Sequence, residues 1–416
     1  MTGLSRIDGA LALDGVPLER IAERFGTPCY VYSRAMVEAA YREFDEGLAG
    51  VDHLVCYAMK ANSNLAILEV LARLGAGFDI VSGGELARVL AVGGRADRIL
   101  FSGVGKAEWE MRAALEAGIR CFNVESEPEL ERLDAVARSM GAVAPVSLRI
   151  NPDVDAKTHR YISTGLAGNK FGIPHARAVG AYRRAAGLKS LKVVGIDCHI
   201  GSQILDTGPL DAALERVMEL VEKVEGEGIP IAHVDLGGGF GTRYRDETPP
   251  DVRAWCERLA KRFAGGRYEV LLEPGRSLVG NAGVLLTRVE YLKVDKAKRF
   301  AVVDASMSEL IRPALYQAWH EIVQAGKARA EAARYDVVGP VCESTDVLGE
   351  DRDLAVAAGD LLAILSAGAY AMVMASNYNT RPRPCEVLID RGEAHEVRAR
   401  EAVDSLFALE KRLPGG

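Results

Sequence analysis

Lys60 sits in the stretch "VCYAMKANSN", directly after β-branched, aromatic and small residues and directly before Asn62, Ser63 and Asn64. A cation in that place has two readings. Its stem can be buried while the ammonium stays in water, as long charged side chains commonly do, or its amine can hold a ligand covalently. Other chemistry-bearing residues stand in comparable places, in or just past an apolar run. These are Asp79 in "FDIVS", Arg149 and Asn151 around "PVSLRI", His199 closing "VVGIDCH", Gly237, Gly238 and Gly239 in "DLGGGFG", and Glu273 closing "YEVLLE". Taken singly, such a histidine is an ordinary core or surface residue and such glycines are a turn. Together they are too polar for a packing layer. Consecutive glycines offer backbone N–H groups with no Cβ to block an approaching anion. With Ser202 of "HIGSQ" and with further backbone donors and Arg276 of "EPGRS", they could hold one phosphate. The glycine run does not satisfy G-x-G-x-x-G, so a dinucleotide loses its main support. An amine, a phosphate cradle, a flat histidine and a carboxylate facing a ring nitrogen are what pyridoxal 5'-phosphate requires.

To stand together, these residues need a scaffold that ends many strands on one face. Over residues 37–281 the chain alternates short apolar runs with longer amphipathic segments. The runs are "HLVCYA", "FDIVS", "RILFS", "RCFNV", "PVSLRI", "VVGIDCH", "AHVDLGGG" and "YEVLLE". Segments between them, such as "NLAILEVLARLG" and "SEPELERLDAVARSMG", carry apolar residues three and four apart and a glycine near the end, which predicts a helix with a C-terminal stop. Eight strands separated by helices predict parallel crossovers, and eight closes a (β/α)8 barrel; a doubly wound sheet is the alternative. In a barrel, chemistry collects at the C-terminal strand ends, where the residues above stand. Over residues 282–416, "GVLLTRVEYLKVD", "RFAVVDAS", "YDVVGPVC", "DLLAILS" and "EVLID" read as strands without regular helices between them, an antiparallel β domain. Residues 1–36, with the strand-like "PCYVYS", do not fit the barrel repeat and are assigned to that second domain. "AGKARAEAA" reads as a helix or a solvated loop. The expected fold class is α/β, a TIM-like (β/α)8 barrel plus a separate, mainly antiparallel β domain.

Bulk properties narrow the function. The chain has 416 residues, 49% of them apolar and 26% charged, the make-up of an ordinary globular protein. Its formal net charge of -7 mixes both signs with no basic block, which argues against nucleic acid as a partner. Seven scattered cysteines without C-x-x-C spacing imply a reducing compartment, with neither a disulfide framework nor a metal knuckle. No charged n-region followed by an apolar core opens the sequence. The apolar stretch "LLAILSAGAYAMVMA" is shorter than the roughly 20 apolar residues a spanning helix needs. A cytoplasmic protein with no membrane partner and no metal is expected.

Beyond the strand ends, "STGLAGNKFGI", "LIRPALYQAWH", "VCESTDVLG" and "GAYAMVMASNYN" complete a set with "YAMKAN", "FDIVSGGEL", "CHIGSQ", "DLGGGFG" and "EPGRSLV". This set, spread over nearly the whole chain, resembles the fold-type III pyridoxal-phosphate decarboxylases, and within them the branch acting on diaminopimelate. The resemblance implies removal of carbon dioxide from the D-configured end of meso-diaminopimelate to give L-lysine, the last step of lysine biosynthesis. It also implies a homodimer in which the β domain of one copy completes the site of the other. Carried over residue by residue, Lys60 makes the covalent link to the cofactor, His199 stacks on its ring, and Glu273 faces the ring nitrogen. Asp79, Ser202, Gly237, Gly238, Gly239, Pro274, Gly275, Arg276, Tyr370 and Tyr378 are further cofactor contacts. Arg276, Arg312, Tyr316, Glu343 and Tyr370 grip the substrate, and Cys342 returns a proton to the decarboxylated carbon.

A diamino dicarboxylate carries two charges of each sign, so its distal end needs both a cation and an anion, which Arg312 and Glu343 can supply. Ornithine has no distal carboxylate to hold. A decarboxylase for ornithine, arginine or carboxynorspermidine would share the lysine and the cradle and differ in this distal pocket. A racemase would need a second acid/base on the opposite cofactor face, for which Cys342 alone is poorly suited. A non-catalytic binding protein on the same fold would have no need of both Lys60 and Cys342. Gly165, Gly168 and Gly172 would permit the 163–173 segment to close over a substrate.

Overall fold

The computed structural model describes residues 3–155, 170–296, 298–327 and 330–414. The chain divides into two compact units, one formed by Glu38–Thr242 and Glu247–Leu278, the other by Met1–Val37, Arg243–Asp246 and Val279–Gly416.

The first unit is a closed barrel of eight parallel strands: His53–Ala58, Gly77–Ile80, Ile99–Phe101, Cys121–Val124, Ala144–Asn151, Leu191–Asp197, His233–Asp235 and Glu269–Leu272. Each pairs with the next, and the eighth pairs with the first through Leu271 opposite Leu54. This closure bears out the barrel and excludes the doubly wound sheet. The strands read as continuous apolar runs because both faces are covered, the interior by side chains and the exterior by helices. His53–Ala58 is buried at every residue after the first. The helices begin where a short polar side chain can take up a free N–H. Asn64 accepts from Ala66 N (2.9 Å), Ser82 from Glu85 N (3.2 Å), Ser126 from Glu129 N (3.3 Å) and Asp251 from Ala254 N (2.9 Å).

In the second unit Gly283–Val294 is the hub, antiparallel to Cys29–Ser33, Arg299–Val303 and Leu361–Ile364. Two pairings are parallel, Cys29–Ser33 with Cys385–Asp390 and Arg299–Val303 with Ala333–Val338. The unit is therefore mainly antiparallel, as expected, and "PCYVYS" is a strand within it. Its core gathers Leu18, Ile21, Val31, Val284, Leu286, Ala363, Val387 and Ile389. The described residues of "AGKARAEAA" form no helix, and Ala333 already opens a strand. Among the described residues no helix is long and apolar enough to cross a membrane.

Candidate active site

The barrel brings its strand-end residues together. Lys60 lies in a short 3-10 turn, Met59–Ala61, immediately after the first strand. Two contacts fix that turn: Ala58 N donates to the carbonyl of Pro274 (3.0 Å), and the Tyr57 hydroxyl donates to the carbonyl of Asn62 (2.9 Å). The Lys60 ammonium forms an ion pair with Asp79, which is wholly buried in the second strand. The amine is thus tied to a buried acid, while the Lys60 side chain keeps 37% exposure.

His199 follows the sixth strand. Its Nδ1 accepts the backbone N–H of Gly238 (3.2 Å), so a ring proton belongs on Nε2. Burial first, then the positive charges of Arg149 and Lys60, hold its pKa well below the usual histidine range. The result is a neutral, flat ring.

The glycine run has a tighter requirement than the sequence suggested. A Cβ on Gly238 would meet the Glu273 carbonyl oxygen at 2.1 Å, and one on Gly239 would meet that of Gly201 at 2.4 Å. These glycines let the strand exits pack on one another, and Gly237 (φ 65) and Gly239 (φ 102) also have the left-handed backbone that favours glycine. Beside them the guanidinium of Arg276, 6% exposed, donates to Ser202 Oγ at 3.2 Å. Glu273 closes the eighth strand, its N–H bonded to the carbonyl of Gly237 (2.7 Å) and its Oε1 accepting from Asn123 Nδ2 (3.2 Å). Burial first, then Asp235, Asp79 and Asp197, push its carboxyl well above the usual range, with Lys60 acting oppositely.

Several barrel residues of this site escaped the sequence reading. Glu125, just past the fourth strand, binds Arg149 (3.1 Å) and accepts the N–H groups of Gly103 (2.9 Å) and Gly172 (3.1 Å). Asn123 joins Ser102 Oγ (3.2 Å) to Glu273. Asp197 and Asp235 stand opposite each other in register at the ends of the sixth and seventh strands. A signal was present, an acid inside an otherwise apolar run. Residues 156–169 lie outside the described residues, and with them Gly165, Gly168 and most of the 163–173 segment.

The second unit holds the residues expected at the substrate. Arg312, 6% exposed, opens a short helix, Arg312–Tyr316. Its Nε donates to His320 Nε2 (3.2 Å), and His320 Nδ1 faces the carbonyl of Leu365 (2.9 Å). The guanidinium also lies over the rings of Tyr244 (5.0 Å) and Tyr316 (5.8 Å). His320 closes the "LIRPALYQAWH" motif but was given no role, and Tyr244 was not singled out. Glu343 is exposed and accepts from the Tyr378 hydroxyl (2.6 Å). Tyr370 is half-buried with φ 52. Of the seven cysteines six are buried, and Cys342 is the exposed one.

Residues 34–280 match the family described as pyridoxal-dependent decarboxylase, pyridoxal binding domain. A diaminopimelate decarboxylase of Pseudomonas aeruginosa is 59% identical over 414 residues, covering 100% of both chains. The chain belongs to the diaminopimelate decarboxylase family. A solved member, the Helicobacter pylori diaminopimelate decarboxylase complexed with L-lysine, is 41% identical with a TM-score of 0.91, covering 94% of this chain and 99% of that one. The lysine decarboxylase of Selenomonas ruminantium shares the fold more distantly, at 26% identity and a TM-score of 0.81 over 90% of this chain and 95% of that one.

The cofactor of this family is pyridoxal phosphate, and the barrel fits it. A lysine amine stands at the mouth, and glycine crossings with an arginine and a serine beside them suit a phosphate. Glu273 lies among other buried acids, where a cationic ring N–H would relieve the crowding of negative charge.

Proposed function

We propose that the chain converts meso-2,6-diaminopimelate to L-lysine and carbon dioxide with pyridoxal phosphate bound in the barrel. The observation that carries this reading is the Lys60 amine, paired with buried Asp79 at the mouth of a barrel that matches the family throughout. Bound pyridoxal phosphate supplies an electron sink for the pair released when the carboxylate leaves as carbon dioxide.

The chain's own residues do the rest. Asp79 keeps the Lys60 amine in place. The neutral ring of His199, fixed through Nδ1, offers a flat face for stacking. Glu273 holds a proton on the ring nitrogen, and Arg276, Ser202 and the backbone of Gly237, Gly238, Gly239 and Gly275 bind the phosphate. Pro274 positions this cradle through its carbonyl contact to the first strand. Tyr370 and Tyr378 complete the cofactor contacts. Arg312 and Tyr316 take the distal carboxylate, and Glu343 takes the distal ammonium, with Arg276 and Tyr370 on the proximal groups. Cys342 Sγ delivers the proton to the carbon that lost its carboxylate; its exposure suits that role, since a buried thiol has no access to a substrate.

A second copy of the chain supplies Cys342 and Glu343 to each barrel, making a homodimer with two sites. Cysteines unpaired throughout fit the cytoplasm.

The test is carbon dioxide release by purified protein and cofactor with meso-diaminopimelate, ornithine, arginine and lysine in parallel. Turnover of diaminopimelate far above the others is expected. Preference for a substrate without a distal carboxylate would replace this reading with that of a related basic amino-acid decarboxylase.

A further inference from the structure

Just past the last strand of the second unit, Glu401 gathers four donors on one carboxylate. Its Oε1 accepts from Arg383 Nε (2.7 Å) and Arg398 Nη2 (3.0 Å), and its Oε2 accepts from the backbone N–H of Arg383 (2.9 Å) and from Asn377 Nδ2 (2.7 Å). Only 15% of the side chain is exposed. Burial alone would raise the carboxyl, but the hydrogen bonds from Arg383 and Asn377 pull it down to about 2, so it is an anion that only accepts. The two arginines tie it to the sheet: Arg383 lies just before the strand Cys385–Asp390, and Arg398 ends its antiparallel partner, Glu393–Arg398. None of Asn377, Arg383, Arg398 and Glu401 has yet been given a part in the reaction.

What the carboxylate holds is a turn that its own residues disfavour. Within Tyr378–Thr380, both Asn379 (φ 55) and Thr380 (φ 55) have left-handed backbone. Asparagine tolerates that region, but a β-branched threonine is an outlier there and persists only where its surroundings over-determine it. The flanks are seated by backbone carbonyls: Ser376 N donates to that of Ser308 (2.9 Å), and Arg381 Nη2 to that of Asp304 (2.6 Å). Asn377 closes the turn itself. Its Nδ2 donates to the carbonyl of Arg381 (3.0 Å) at the far end and to Glu401. Both amide hydrogens are therefore engaged, and a flipped amide would set its oxygen against two acceptors. The turn presents Tyr378, whose hydroxyl donates to Glu343 (2.6 Å).

We propose that Glu401 is a positioning residue for substrate recognition: through Asn377 it fixes the strained turn, so that the Tyr378 hydroxyl stays on Glu343 and holds that carboxylate in place for the distal ammonium. The inference rests on the role given to Glu343 above. Glu343 is exposed, and an unrestrained exposed side chain loses rotamer freedom when it meets a cation. Tyr378 is 45% exposed, so packing alone does not fix its ring. The orientation of the pair comes from the turn that carries the tyrosine, and the shape of that turn from the bond between Asn377 and Glu401. All four residues belong to the second unit, so the clamp accompanies Glu343 whichever barrel it serves.

Full-length variants supplied with saturating pyridoxal phosphate test this. Asn377→Ala removes the link and leaves Glu401 bound to both arginines, whereas Glu401→Gln turns an amide N–H2 toward donors that the carboxylate accepted. Each should raise KM for meso-diaminopimelate roughly three- to tenfold, the scale of one ordinary hydrogen bond, with kcat little changed. Tyr378→Phe should raise KM to a similar extent. Asn377→Ala added to Tyr378→Phe should then raise it no further, because both act through the same hydroxyl. A merely structural Asn377 would lower the melting temperature and leave KM alone, and that result would overturn the proposal. So would full additivity of Asn377→Ala and Tyr378→Phe. A wild-type KM in Glu343→Ala would instead overturn the role of Glu343, and the inference with it.

Discussion

Arg312 is 6% exposed, and its charge has to be reconciled with that burial. The reconciliation is local: His320 accepts from Nε, and the rings of Tyr244 and Tyr316 lie under the cation. Arg312 therefore stands in a set orientation before a substrate arrives. Arg312→Ala and Glu343→Ala should each raise KM for diaminopimelate and leave cofactor affinity unchanged. Truncating one partner of a desolvated charge pair costs about 2 to 5 kcal/mol. Wild-type kinetics in both variants would defeat the distal-pocket assignment. His320→Phe keeps a flat ring and loses the acceptor. A hydrogen bond to a charged group is worth about 1.5–3 kcal/mol, so KM should rise roughly ten- to hundredfold while cofactor affinity holds. An unchanged KM in His320→Phe beside a raised one in Arg312→Ala would mean that the aromatic rings alone orient the guanidinium.

The barrel strands were legible because burial on both faces makes each a continuous apolar run, which stands out from the amphipathic helices between them. The strand Val347–Leu354 was not legible, because Glu350, Asp351, Arg352 and Asp353 interrupt any alternation. Asp351 takes φ 51 there, and Arg352 turns inward with its guanidinium 3.1 Å from the centre of the Trp319 ring. The N-terminal hairpin had a signal that went unread: Asp8-Gly9 and Asp14-Gly15 both have positive φ, and each joins two short paired strands. Within the site, Lys60, His199 and Glu273, past the strand ends, were visible in the sequence, whereas Glu125 past the fourth strand was not. Asp197 and Asp235 were hidden inside runs that otherwise read as core, and only barrel register shows that they meet. That meeting has a thermodynamic consequence. Asp235 is raised to about 7 in the folded chain against about 3.9 unfolded, so the folded state binds more protons between these values and loses stability as pH rises from about 4 to about 7. Asp235→Asn cannot show this loss. The melting temperature of the cofactor-free variant relative to wild type should therefore climb across that window and level off above it. A difference independent of pH would mean that Asp235 is ionised in the folded chain.

For the whole molecule, the proposed dimer makes a quantitative demand. If Lys60 of one copy works with Cys342 of another, Lys60→Ala and Cys342→Ala homodimers are each nearly inactive for unrelated reasons. Random exchange makes half of the dimers mixed, each with one intact site of two, so activity should recover to roughly a quarter of wild type. No recovery, with mixed dimers demonstrated by mass spectrometry, would place both residues in a site made by one chain or remove Cys342 as the donor. All of this depends on the Lys60 amine being the group through which the chain holds its cofactor for decarboxylation. The direct measurement is carbon dioxide and L-lysine formed from meso-diaminopimelate by wild type and Lys60→Ala, both supplied with pyridoxal phosphate and both shown to be folded by circular dichroism. Equal amounts of the two products from wild type, and none from Lys60→Ala without an added amine, are predicted; substantial unaided turnover by Lys60→Ala, or none by wild type, would contradict the account.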